Sequence, residues 1–527
     1  MKSISHFRIL KPDYRQASFS NSQILFAIFC WALLLLRFGY CFGSDDQIEL
    51  LPYTLFLHNP SLYPHDLFIH GLHAAVPNER TFAACLLSPF INHLEIVCLV
   101  LHFISTVILV MGLENLANRF IKSKMLVRLS ILVSLIPFAN VTLGSVVTYS
   151  EMFQASFLGA AIALWGIIAF IDRRFILCSA ILSVATFVHL LEGLDVMIVL
   201  SIIFCLQVFY FKTEKAKTFI LFTCIYLFTA GVYLWFNLQS KQILSAAISE
   251  KEYYNILFRF RLAHHYMISS FPIAKTILFF ILSIIAVAFF YAKSKSLFWI
   301  SVVSVIGMLV YAFVAEKFDT VFLASFQFFK MAQWIKFFGL VAGFAILESY
   351  LPYKIFSDDG SITWKNLITP LIVMLFISLP VVSAQTGNKN VYQIGDKKDE
   401  YPEVQICKAI QKKISNAAVF VQPLMFTELK YYSQRSSFVD YKAAPRNGTG
   451  MKEWYRRLNM VYGLNANGNK KGFEVIAEAD SFYSHLPVEK ILELKQNGVT
   501  HVLTKKEFPL LSGKLILQNN TYAVYQL

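Results

Sequence analysis

Two adjacent carboxylates, Asp45 and Asp46, stand just beyond an apolar run over residues 24–41, in the stretch GSDDQIELLPYTLFLHNPSLYPHD. A carboxylate within hydrogen-bond reach of a hydroxyl can take its proton as the oxygen attacks. Charges this close to a membrane span are costly, and are kept where they face water, a pocket or a partner. Capping a following helix is the other use for such a pair, because Asp suits an N-cap and the positive end of a helix dipole. Glu49, Asp66, Glu151, His189 and Glu192 are further candidates for the walls of a cavity that the pair would share.

A second group is cationic. The stretch FRFRLAHHYMISSFP gathers Arg259, Arg261, His264 and His265, and Lys330 follows with Gln327 and Gln333 before Trp334. Arg donates in a fork matched to phosphate oxygens, and a protonated His adds charge or a proton. Snorkelling of the two arginines to lipid headgroups is the alternative use. His58, His65, His70 and His73 crowd the first loop without the helical ligand spacing of a recognised motif. No metal or other cofactor is assigned on that pattern.

These groups need elements to hold them. Of the 527 residues, 56% are hydrophobic, 50 are Phe and only 15% are charged. That is too apolar for a soluble domain and reads as an α-helical polytopic membrane protein. Apolar runs at 22–41, 92–112, 127–147, 152–171, 175–192, 194–211, 218–238, 273–291, 297–315, 334–350 and 366–384 predict about eleven transmembrane helices. Between the fifth and sixth, His189, Glu192, Gly193 and Asp195 predict a tight turn; one long broken helix is the alternative.

Basic clusters at the N-terminus and at 119–128, 173–174, 212–217 and 293–295 fall at alternate connections, which assigns them and the N-terminus to the cytoplasm. The net charge of +14 is then an orientation signal with an affinity for acidic headgroups. No Gly-rich, RNP-like or zinc-finger spacing points to nucleic acid.

Residues 1–384 are expected to form the membrane domain, with an outer loop at 42–91 cut into short interfacial helices by Pro52, Pro60, Pro64 and Pro77. Residues 385–527 are expected to form an extracytoplasmic α/β domain. Its strands fall at 418–422 and 500–504, its helix at 488–496, and a hairpin at 514–527 turns at Asn519 and Asn520.

With an acidic pair after the first span, a long first outer loop, about eleven spans and a C-terminal outer α/β domain, the chain resembles the GT-C superfamily of membrane glycosyltransferases. The stretches PSLYPHDLF, FRLAHHY, SSFVDYKAAP and EWYRRL resemble an uncharacterised bacterial family of the same layout. The resemblance implies a multi-pass enzyme of the bacterial cytoplasmic (inner) membrane. It would move a sugar from a polyprenyl-phosphate-linked donor to a cell-envelope glycan or lipid-linked acceptor on the outer side. It also implies that Asp45 or Asp46 acts as the base. Arg259, Arg261, His264, His265 and Lys330 are the candidates for the donor phosphate. Two other classes fit less of the pattern. A polysaccharide polymerase or ligase would show an Arg-rich large outer loop between late spans, which 240–272 partly matches, and a transporter of lipid-linked sugars would carry polar groups near the midplane and often internal repeats.

Overall fold

The structure, a computed structural model, describes residues 20–136, 141–240, 247–350, 391–510 and 512–527. A backbone in lipid must satisfy its own hydrogen bonds, so apolar runs of this length fold as helices. Among the described residues, seven helices from Asn21–Phe38 to Val321–Tyr350 are long and apolar enough to cross a membrane. Ala155–Ile171 and Phe175–Val188 are shorter apolar helices packed among them. The run expected at 127–147 is instead the 12-residue helix Lys124–Leu135. At about 18 Å it falls short of the ~30 Å hydrocarbon core. The eleventh expected span, 366–384, lies outside the described residues.

The tight turn expected near His189 is present. One helix ends at Val188, the next begins at Leu190, and the two pack against each other. A Cβ on Gly193 would lie 2.6 Å from the Leu182 carbonyl oxygen, so the hairpin closes because that residue has no side chain.

The basic connections at 119–128, 173–174 and 212–217 gather at one end of the bundle. Arg119 pairs with Asp172 at 2.6 Å, Arg173 with Glu214 at 2.5 Å, and the Glu348 carboxylate accepts the Lys122 and Ser123 N–H groups at 3.0 and 2.6 Å. The opposite end carries the first loop and the C-terminal residues. There, Gly39–Tyr40 pairs in parallel with Val391–Tyr392.

Beyond residue 400 a five-stranded sheet forms in the order Ser436–Ser437, Val419–Val421, His501–Lys505, Tyr522–Gln526, Lys514–Gln518. The first three strands are parallel and the last two antiparallel, with the final hairpin turning at Asn519 and Asn520 as expected.

A buried charge cluster joins this sheet to the first loop. Lys430 lies 2.7 Å from Asp440 and 3.7 Å from Asp66, and all three are buried. Asp66 also caps the helix Leu67–Ala74 by accepting the Ile69 N–H at 3.0 Å, and it accepts the Ser437 N–H at 3.2 Å. Burial pulls the Lys430 ammonium down; the two carboxylates outweigh it and hold the group above its ordinary value.

Candidate active site

The turn that carries the acidic pair is built by close approach. Gly43 has a positive φ of 72°, and a Cβ there would meet the Tyr431 ring at 2.6 Å. Its N–H donates to Gln47 Oε1 at 2.8 Å, and Gln47 Nε2 donates to the Phe153 carbonyl at 3.1 Å. Ser44 Oγ and the Phe42 N–H both donate to Gln393 Oε1, at 2.9 and 3.1 Å. Asp45 then adopts a left-handed conformation, φ 51°, which Asp tolerates better than most residues. Its N–H donates to Thr427 Oγ1 at 2.8 Å. The carboxylates are therefore aimed by residues more than 300 positions away in the chain.

Above the helix ends lies a cavity of about 270 Å³. Of the sequence-derived candidates, Asp46, Glu49, His189, Glu192, Arg261, His264, His265 and Lys330 line it. The other four lie elsewhere. Asp45 pairs with Lys442 at the rim, Arg259 turns away to Asp319 at 2.8 Å, Asp66 is held by Lys430, and Glu151 is exposed and offers its carbonyl to the Cys41 N–H at 2.8 Å.

Asp46 sits between protein walls yet keeps 59% of its side-chain surface open. Oδ2 accepts from Gln154 Nε2 at 2.9 Å, and Oδ1 lies 3.3 Å from Lys442 Nζ. Burial and then Glu49 raise its carboxyl above the ordinary value, while Arg80, Arg261 and Gln154 pull it down. A carboxylate made more basic in this way is a better proton acceptor near neutral pH. Burial also brings the Lys442 ammonium down to about 8.

The cations are arranged differently. Arg80 is bonded to Glu49, Lys330 Nζ donates to Glu192 at 2.6 Å, and Arg446 lies 3.6 Å from Glu79. Arg261 is the exception. It is 4% exposed, Nε donates to the Tyr441 carbonyl, and the guanidinium lies 4.3 Å from the Tyr441 ring centroid. Its buried Nη1 has no acceptor. A buried donor left unmade costs about 1–3 kcal/mol, so an anion entering the cavity would satisfy a group the fold leaves open.

Two histidines lie beside it, His264 and His265, with ring centroids 4.1 Å apart and planes tilted by 46°. Burial, followed by the neighbouring ring and Arg261, brings His264 down to about 2. Burial and Arg261 outweigh the Gly144 carbonyl and bring His265 down to about 4. The protonated His considered from the sequence is therefore not the form present at neutral pH. In the unfolded chain both rings would titrate near their ordinary value of about 6.5. As pH falls from 7 to 5 the unfolded state binds protons that the folded state refuses, so stability falls with pH in that window. Thermal melts of the detergent-purified protein should show a falling midpoint on acidification. A His264→Gln, His265→Gln double variant should flatten that slope.

Arg80, Gln154 and Arg446 line the cavity without having stood out as site residues in the sequence; Lys442, which also lines it, stood out only as one of the charged residues around SSFVDYKAAP that could bind an acceptor or form surface ion pairs. Lys336 is a further buried cation close by. Its Nζ donates to the Ser134 carbonyl at 2.9 Å and to Thr148 Oγ1 at 2.8 Å, which braces two segments of the wall. No local motif marks Arg80, Gln154, Arg446 or Lys336.

Residues 402–461 match a family model described as a domain of unknown function (DUF6798). That span contains Lys430, Asp440, Lys442 and Arg446. No curated protein matches the chain. Among solved structures it is similar to the crystal structure of ArnT from Cupriavidus metallidurans bound to undecaprenyl phosphate. There the TM-score is 0.38 at 10% identity, over 96% of this chain and 97% of that one. It is also similar to the Archaeoglobus fulgidus oligosaccharyltransferase tethered to an acceptor peptide. There the TM-score is 0.41 at 11% identity, over 92% of this chain and 68% of that one. Likenesses this loose concern helical layout, and the chemistry rests on the cavity itself.

Proposed function

We propose that this protein is a membrane glycosyltransferase that moves a sugar from a polyprenyl-phosphate-linked donor to a hydroxyl-bearing acceptor, a cell-envelope glycan or a lipid-linked saccharide. The observation that carries this reading is one cavity holding both an open carboxylate, Asp46, and a buried guanidinium with an unmade donor, Arg261. Asp46 takes the acceptor hydroxyl proton as that oxygen bonds to the anomeric carbon. The bond from that carbon to the phosphate oxygen breaks, and the departing phosphate gains charge. Fixed cations then stabilise the transition state more than the ground state. Arg261 meets the phosphate directly; Lys330 is a second donor within the wall, and the neutral His264 and His265 contribute dipoles. The basic connections at the far end of the bundle support an outer-face position, at a bacterial cytoplasmic membrane, for the cavity and the C-terminal sheet.

The test is binding of radiolabelled undecaprenyl phosphate to the purified, detergent-solubilised chain. Arg261→Met should weaken binding roughly ten- to hundredfold, the loss of one or two charge-assisted hydrogen bonds. Absence of binding by the wild type, or equal binding by the variant, would remove the proposal.

A further inference from the structure

Among the described residues, each cation of the cavity wall other than Arg261 has a carboxylate within 4.0 Å. An incoming phosphate that recruits a second of these lining cations must therefore break an ion pair; Lys336, held by the Ser134 carbonyl and Thr148 Oγ1, does not line the cavity. The deepest of these is Glu192 with Lys330, whose carboxylate is 4% exposed and also accepts from Gln333 Nε2 at 2.8 Å. Asp195, three residues on along the same helix, is 1% exposed, and neither of its carboxylate oxygens has a partner. Residues three apart share a helix face, and two buried carboxylates on one face cannot both stay ionised without a cation between them.

We propose that Glu192 takes up a proton when a lipid-linked phosphodiester binds. Lys330 turns from Glu192 to the phosphate, and Glu192 exchanges its counter-cation for a proton from solvent. This rests on the reading of the cavity as a phosphate site. Removing one partner of a buried ion pair leaves an uncompensated charge, and protonation is the usual way such a group escapes that cost.

The surroundings offer Glu192 no second cation as close as Lys330. Its own helix supplies Asp195 and the preceding His189. The segments Phe328–Met331 and Ala332–Tyr350 supply Lys330 and Gln333, and the outer loop supplies Glu79 and Arg80 beyond His189. Arg80 is bonded to Glu49. Tyr226, Tyr266 and Tyr311 reach toward Asp195 from three further elements.

Titration calorimetry of the full chain in detergent with farnesyl methyl phosphate tests this. That diester stays singly ionised from pH 6 to 8, so any proton taken up belongs to the protein. In buffers of different ionisation enthalpy the wild type should take up about one proton, and its affinity should fall up to about tenfold per pH unit. Glu192→Gln should bind without proton uptake. Lys330→Gln, in which Glu192 has no lysine to give up when the ligand arrives, should do the same and serves if the first variant does not fold. Wild-type binding heats that are identical in all buffers would overturn the proposal and leave the phosphate site standing. Proton uptake that persists in either folded variant would also overturn it. Failure of the wild type to bind the probe would remove the phosphate site and this proposal together.

Discussion

Asp46→Asn should slow sugar transfer by roughly 10²- to 10⁴-fold, the range for loss of a general base, with the protein still accumulating in the membrane. The amide keeps the shape of the side chain and its contact with Gln154, but it cannot hold the acceptor's proton. Asp45→Asn should cost much less, because Asp45 serves the site by holding Lys442 and by its backbone bond to Thr427. The measurement is consumption of a radiolabelled polyprenyl-phosphate sugar by vesicles containing each variant. Wild-type rates from Asp46→Asn would sink the assignment of the base.

The second large effect is on stability. Lys430→Met should destabilise the chain by about 3–5 kcal/mol, as breaking a buried ion pair does elsewhere, because it leaves Asp66 and Asp440 facing each other without a cation. Burial and Asp66 already push the Asp440 carboxyl up against the pull of Lys430. Adding Asp440→Asn to Lys430→Met should recover part of the loss. Thermal and denaturant unfolding in detergent would read both changes. An unchanged midpoint for the single variant would show that the cluster contributes nothing to the joint between loop and sheet.

Features with a local cause were legible in the sequence. The strands at 418–422 and 500–504, the helix at 488–496 and the turn at Asn519 follow from hydropathy period and turn residues, and the structure places elements at each. The cavity wall has no local cause. Asp46 meets Lys442 across 396 residues, and Ser44 meets Gln393 across 349. Such pairings leave no periodic trace in one chain.

The two arginines of FRFR show the middle case. Residues two apart on a helix face different ways, and the winding of Asn255–Arg261 indeed sends Arg259 out to Asp319 and Arg261 into the cavity. Both stood as phosphate candidates in the sequence, although their spacing allows only one of them to reach a shared ligand. The spacing could not say which, because the Tyr441 carbonyl and ring that hold Arg261 come from the far end of the chain.

The short parallel pairing of Gly39–Tyr40 with Val391–Tyr392 bears on how the molecule is made. A ribosome delivers the first hairpin early, and domains tend to fold in the order in which they emerge. Phe42 must nevertheless wait for Gln393, 351 residues later, before its turn is pinned. Until then the acids have neither their lysine nor their ceiling. Completion of the polypeptide, rather than insertion of its first helix, is thus the step that closes the wall around the acidic pair.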